Sequence, residues 1–215
     1  MKTEHLKKEL TEIRHEFHAN PELNFDVHDT SKKVANLLNE YGLEVHSNVG
    51  NIGVVGVLKK GKSDRSIGIR ADMDALPVTE ANDFSYKSRN DGKMHACGHD
   101  GHMAMALGAA KQLSKNEDFD GTAYFVFQPD EEATEGAKAM ISDGLFSKFS
   151  MDEIYAFHNM PGMELGTFAT RSGVITGSES LFKIELKGEG GHSALPHMGV
   201  DTITVGTQII TSLQS

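Results

Sequence analysis

The first forty residues carry apolar side chains every three or four positions, the spacing that places them on one face of a helix. A first amphipathic helix is predicted by four such positions: Leu6, Leu10, Ile13 and Phe17. Pro21 ends this pattern, and the same spacing predicts a second helix over 30–41. Gly42 follows the second helix and suits the left-handed residue with which many helices end.

After residue 42 the pattern changes to short apolar runs separated by Gly and Asn, which is typical of strands. Strands are predicted at 43–49, 52–58, 66–71, 122–128, 153–158, 166–170 and 181–187. Further helices are predicted at 99–114, 135–142 and 200–213. Strands that alternate with helices indicate an α/β fold with a mostly parallel sheet flanked by helices.

A stretch rich in Gly, Ser and Thr over 171–180 predicts a domain boundary. We expect residues 1–176 to form the α/β domain and residues 177–215 to supply one strand and one helix to a second domain. One strand and one helix cannot bury a core by themselves, so the second domain is expected to be incomplete.

Composition narrows the classes of function. The 215 residues include 21 Lys and Arg and 31 Asp and Glu, which gives a formal net charge of −10. This negative charge argues against nucleic acid and anionic membranes as partners. The single cysteine excludes an intrachain disulfide. No secretory signal and no apolar run of spanning length are visible, so we expect a cytoplasmic protein.

Residues 94–102 concentrate three histidines, one cysteine and one aspartate just before the predicted third helix. Cys97 and His99 are separated only by Gly98, which lets the backbone turn tightly and direct both side chains to one point. Such side chains are the usual ligands of transition metals. The alternative is a polar loop in which Asp100 caps the helix.

Polar residues also follow the apolar runs 67–69, 123–127 and 154–157 of three predicted strands. They are Arg70, Asp72 and Asp74 after the first, Asp130, Glu131 and Glu132 after the second, and His158 after the third. Ligands of open α/β sheets bind beyond the carboxyl ends of the strands, so these groups are expected around one crevice. Because neighbouring residues point in different directions, one glutamate of the pair can bind metal while the other transfers protons. A solvated acidic turn before a helix is the alternative.

Taken together, these segments resemble the amidohydrolase branch of dinuclear metallopeptidase family 20, the group of hippurate hydrolase, N-acetyldiaminopimelate deacetylase and auxin-conjugate hydrolases. The matching segments occur in family order over nearly the whole chain: 18–23, 70–77, 94–102, 127–132, 158–161 and 190–197. The resemblance implies a zinc-peptidase-like catalytic domain followed by the start of an α+β, ferredoxin-like lid and dimerisation domain.

The resemblance also implies roles for single residues. Four residues match the ligands of a two-ion site: Cys97, His99, Glu132 and His158. Glu131 matches the general base, and His192, which follows two glycines, matches a lid residue that stabilises the oxyanion. A simple turn is the alternative for His192. Asp72 and Asp74 match a loop expected to support the site from beneath.

Three hypotheses remain open at this point. The first is an amidohydrolase that cleaves N-acyl amino acids with two divalent ions, Mn or Zn, with Co or Ni also possible, and that forms a homo-oligomer through its lid. The second is a truncated, inactive metal-binding relative, because family members are longer and carry a further histidine ligand beyond this point. We expect the 215-residue chain alone to be inactive and poorly folded at its C-terminal end. The third is a hydrolase with Cys97 as the nucleophile.

Overall fold

The computed structural model describes residues 2–116, 118–178, 180 and 182–214. Its elements in chain order are α1 Lys2–Ala19, α2 His28–Glu40, β1 Glu44–Val49, β2 Gly53–Lys60, β3 Ser66–Asp72, α3 His99–Lys115, β4 Gly121–Gln128, α4 Gly136–Ser142, α5 Leu145–Lys148, β5 Glu153–Ala156 and α6 Thr202–Leu213. The backbone forms two compact units, Met1–Gly162 and Met163–Ser215, and the first contains the sheet. No helix in the described part of the chain has the length and apolar character needed to cross a bilayer.

The sheet has five strands in the order β1-β2-β4-β3-β5. β2 pairs antiparallel with both β1 and β4, whereas β3 pairs parallel with both β4 and β5. β2 therefore runs opposite to the other four strands. The predicted α/β class, with a mostly parallel sheet flanked by helices, is confirmed.

The two faces of the sheet hold separate cores because successive strand residues point to opposite sides. On β4, Phe125 and Phe127 belong to the larger core, which also contains apolar side chains of α1, α2 and α3. The intervening Val126 packs on the other face with residues of α4 and α5. Helices on both faces leave the carboxyl edge of the sheet as the place where loops can gather.

The register of the parallel strands aligns their carboxyl ends. Asp72, the last residue of β3, lies opposite Gln128, the last residue of β4. Ala156 at the end of β5 lies opposite Arg70 of β3. The residues that follow these three strands therefore leave the sheet at one edge, as the sequence predicted.

The strands that the sequence predicted in the second unit were wrong. Among its described residues, neither 166–170 nor 182–187 forms a strand, and Leu181 lies outside the described residues. Alternating side chains set the faces of a strand, but a strand also needs a hydrogen-bonded neighbour, and only the single bridge between Glu189 and Val200 is described there. The division at residue 176 into catalytic and lid domains stays a prediction.

A buried charge network ties α1 to α3 within the first unit. His18 of α1 places Nδ1 2.9 Å from Asp100 Oδ2 and Nε2 3.1 Å from Glu80 Oε1, and all three side chains are buried. The hydrogen bond to Asp100 raises the pKa of His18, burial opposes this, and the bond to Glu80 raises the pKa further. His18 therefore lies between two buried carboxylates, which favour its protonated form.

We predict that His18→Ala lowers the free energy of unfolding by about 3 kcal/mol, because it removes the imidazole that two buried carboxylates share. His28→Ala is the matched control, since the His28 side chain is 70% exposed, and should change stability by less than about 0.5 kcal/mol. Denaturant unfolding measures both.

The same prediction has a pH dependence. A histidine whose pKa is raised by folding stabilises fully below its unfolded pKa of about 6.5, and this stabilisation fades as pH rises through the folded pKa. The gap between wild type and His18→Ala should therefore be largest near pH 6 and narrow at higher pH. A gap that stays constant from pH 6 to pH 9 would contradict the proposed imidazolium.

Candidate metal centre

The segment 94–102 reaches the sheet edge through a tight turn at Gly98 that starts α3. Gly98 has φ +99°, and a Cβ atom there would lie 2.4 Å from Oδ1 of Asn159. The left-handed backbone favours glycine, and a Cβ atom there would also displace the side chain of Asn159. Cys97 therefore precedes the helix while His99 occupies its first turn, and both side chains join one cluster.

His99 presents one bare ring nitrogen to two carboxylates. Its Nδ1 donates a hydrogen bond to the carbonyl oxygen of Asp74 at 2.7 Å, so Nε2 carries the lone pair in the neutral form of the ring. Nε2 lies 3.7 Å from Glu132 Oε1 and 3.8 Å from Glu131 Oε2. Among the described residues, neither His99 Nε2 nor Glu132 Oε1 has a hydrogen-bond partner, and both are buried. Two electron-rich atoms at this separation suit a cation bound at about 2 Å from each.

Cys97 and His158 extend the cluster on the side of β5. Cys97 Sγ lies 3.4 Å from His158 Nε2. The Nδ1 of His158 donates to the carbonyl oxygen of Asn159 at 2.7 Å, which directs Nε2 toward the thiol. Two groups of potential ligand atoms, each within 4.8 Å of one another, therefore share His99: one with Cys97 and His158, the other with Glu131 and Glu132.

Asp74 holds three of these residues in place. Its fully buried carboxylate accepts hydrogen bonds from the backbone N–H groups of Glu131 at 3.0 Å and Glu132 at 3.1 Å. Its carbonyl oxygen accepts the bond from His99. Asp74, which follows β3, thus orients both glutamates that follow β4 and the histidine of α3.

A third group of potential ligands consists of Asp72, His99 and His102. In this group Asp72 is already paired with cationic or N–H donor side chains of the protein. Asp72 Oδ1 accepts from His102 Nδ1 at 2.6 Å, and Oδ2 accepts from Arg70 at 2.8 Å. Burial opposes the charge of Asp72, but the bond from His102 and the Arg70 guanidinium hold its pKa well below the usual range. We therefore assign this group to support of the site rather than to a further ion.

The electrostatics of the cluster favour added positive charge. Burial raises the pKa of the Cys97 thiol to about 12, and Glu132 and Glu131 add to the effect. Burial also raises the pKa of Glu132; the imidazole of His99 opposes this and Glu131 adds to it, and burial prevails. For His99, burial lowers the pKa, but Asp74 and Asp72 prevail and raise it to about 8. A divalent cation would replace these protons, so the donor set fits a metal.

Three other residues belong to none of the groups of potential ligands found among the described residues. His192 lies in the second unit, where its Nδ1 accepts a hydrogen bond from the N–H of Ala194 at 3.2 Å. His95 is buried, which lowers its pKa to about 4, and it joins none of the three groups found among the described residues. Asp130 is buried with φ +49°, and burial followed by Asp74 raises its pKa.

Sequence reasoning missed two contributors that the structure adds to the site. His102 is the partner of Asp72, and Asn159 lies against Gly98. His102 was visible as a histidine one turn into the helix, but its long-range partner was not. Asn159 carried no signal beyond its place after His158.

Comparison with known proteins identifies relatives over almost the whole chain. The model of peptidase family M20/M25/M40 matches residues 68–212. The hippurate hydrolase of Campylobacter jejuni is 48% identical over 210 residues, which are 98% of this chain and 55% of that protein. The N-acetyl-L-cysteine deacetylase of Bacillus subtilis is 37% identical over 211 residues, 98% of this chain and 50% of that protein.

Solved structures agree with the sequence relatives. A putative aminohydrolase from methicillin-resistant Staphylococcus aureus superposes with a TM-score of 0.78 at 36% identity, over 98% of this chain and 57% of that one. A dinuclear metal-binding peptidase from Bacillus subtilis superposes with a TM-score of 0.74 at 35% identity, over 79% and 48%. The chain spans about half the length of the curated relatives it matches. With its sheet, its strand-end carboxylates and its Cys-Gly-His turn, the chain belongs to peptidase family M20/M25/M40.

Proposed function

We propose that the protein is a metal-dependent amidohydrolase that cleaves the amide bond of N-acyl amino acids or related small peptides. The observation that carries this is the pair of buried atoms His99 Nε2 and Glu132 Oε1, 3.7 Å apart, neither of which has a hydrogen-bond partner among the described residues. We assign the binding of two divalent ions to Cys97, His99, Glu132 and His158. Thiolate and imidazole suit Zn, carboxylates admit Mn, and the mixed set also allows Co or Ni.

In the proposed reaction the two glutamates have different tasks. When bound, the ions polarise the scissile carbonyl and acidify water. Glu132 is only 20% exposed, the less exposed of the two, which favours a ligand. Glu131 is 40% exposed, so its carboxylate can take a proton from water and pass it to the leaving amine. Asp74 orients both through their backbone N–H groups.

Support for the substrate class comes from the relatives, which include the hippurate hydrolase, the N-acetyl-L-cysteine deacetylase and an IAA-amino acid hydrolase of Arabidopsis thaliana. We extend the proposal to a cytoplasmic location and to a homo-oligomer formed through a lid domain that starts at residue 177. In that assembly His192 would stabilise the oxyanion of the tetrahedral intermediate.

A cysteine hydrolase is the competing mechanism, because Cys97 Sγ and His158 Nε2 are only 3.4 Å apart. A nucleophilic cysteine needs a lowered pKa, which electropositive surroundings supply. Burial and the neighbouring carboxylates instead raise the pKa of Cys97 to about 12. The surroundings of Cys97 therefore favour a metal ligand over a nucleophile.

We predict that exhaustive chelation of the intact protein abolishes amide hydrolysis and that added Mn or Zn restores it. The readouts are metal analysis and hydrolysis of a panel of N-acyl amino acids. Full activity in a verified metal-free sample would favour the cysteine mechanism. Bound metal without turnover would favour the metal-binding, inactive relative.

We predict distinct effects for the glutamate pair. Glu131→Gln should keep its metal and lose turnover by about 10²–10⁴-fold, because only proton transfer is removed. Glu132→Gln should bind at least one ion more weakly. Glu135→Gln, whose side chain is 58% exposed and pairs with Lys138, is the matched control and should do neither. If Glu131→Gln loses the metal while Glu132→Gln keeps it, the two roles are reversed.

A further inference from the structure

Asn159 makes three hydrogen bonds that join separate parts of the metal centre. Its backbone N–H donates to Nε2 of His102 at 3.2 Å, and its side-chain amide donates to the carbonyl oxygen of Cys97 at 3.3 Å. Its own carbonyl oxygen accepts from Nδ1 of His158 at 2.7 Å. One residue thus links the Cys97 turn, helix α3 and His158.

His102, the partner of Asn159 on α3, is held in the tautomer that this hydrogen bond requires. Nδ1 of His102 donates to Asp72 at 2.6 Å, so Nε2 is free to accept the N–H of Asn159. Asp72 is in turn paired with Arg70, on the strand that neighbours β5. The orientation of His102 is therefore fixed by residues of the sheet, independently of its bond to Asn159.

His158 needs such a link because strand pairing ends before it. β5 is only four residues long and lies at the edge of the sheet, and its last described pair is Arg70 with Ala156. The side chains of β5 are exposed, so packing restrains the strand weakly. The side chain of Asn159 meets the opposite segment at Gly98, where a Cβ atom would displace it.

We propose that Asn159 is a positioning residue that sets the separation between the Cys97 thiol and the His158 imidazole. This inference rests on the proposed metal centre, since it assigns no contact with substrate to Asn159. His102 is the fixed point on α3 to which Asn159 is tied. Partners that orient metal ligands typically contribute 10–100-fold to metal affinity, and we expect a loss in that range for Asn159→Ala.

The experiment compares Asn159→Ala with wild type in two states of the intact protein. In the metal-bound state, affinity is measured by competition with a chromophoric chelator, and the thiolate-to-cobalt absorption band reports the bond to Cys97. In the metal-free state, the rate of alkylation of Cys97, the only cysteine, reports how firmly its segment is held. We expect alkylation about fivefold faster, the factor for losing one neutral hydrogen bond. Met160→Ala, at a side chain 61% exposed, is the control.

The outcomes separate this inference from the proposed function. Faster alkylation and weaker metal binding in Asn159→Ala, with Met160→Ala unchanged, support the positioning role. Unchanged alkylation and unchanged affinity, in a protein whose wild type binds metal, overturn it and leave the metal centre standing. If wild type binds no metal while alkylation of Asn159→Ala is still faster, the proposed function fails and the tether remains.

A second pair of variants guards against misfolding of Asn159→Ala. His102→Gln keeps a donor for Asp72 and an acceptor for the N–H of Asn159, whereas His102→Leu removes both. We expect His102→Leu to reproduce the faster alkylation and His102→Gln to restore most of the wild-type rate. Equal rates in the two His102 variants would contradict the tether.

Discussion

The hydrogen bonds of Asp74 are the interaction on which the site depends. A buried carboxylate must be satisfied by donors, and Asp74 takes the two N–H groups of Glu131 and Glu132 while its carbonyl oxygen takes the ring N–H of His99. The loop after β4 is thereby bound to the loop after β3 and to the start of α3. These bonds hold the backbone of both glutamates against the residue that also holds the imidazole.

The first turn of α3 distributes three side chains to three neighbours, because successive helical residues are rotated by about 100°. His99 points into the candidate metal centre, Asp100 meets His18 of α1, and His102 meets Asp72 of β3. The turn is therefore anchored on both sides of the residue that would bind metal. Anchoring of this kind lowers the reorganisation needed when a cation arrives.

Two carboxylates that support the centre are paired with side chains of opposite charge, whereas the candidate ligand groups Glu132 and Cys97 are not. Asp72 has Arg70 and His102, and Asp100 has His18. The carboxylate of Glu132 and the thiol of Cys97 instead hold their protons more tightly than usual. The protein's own Arg and His side chains thus neutralise the supporting carboxylates, while the candidate ligands are left for a metal cation to neutralise. The proposed chemistry requires this division.

The sequence by itself determined most of the helices and strands of the first unit and the composition of the cluster. Apolar periodicity is a local property, so α1, α2, α3 and the five strands were predictable to within a few residues. The carboxylates after β3 and β4 were placed at one edge because parallel strands end together. The short helix α5 was not predicted, since four residues carry too little periodicity to detect.

Only the tertiary structure decided which groups meet. The strands expected at 166–170 and 181–187 needed partners that a periodic pattern does not supply, and the described part shows none. The pairing of Asp72 with His102, the burial of His18 between two carboxylates and the bonds of Asn159 to His102 and Cys97 join residues far apart in the chain. Hydrogen bonds between distant segments depend on distances that close only when the sheet and helices pack, and for that reason no local pattern could reveal them.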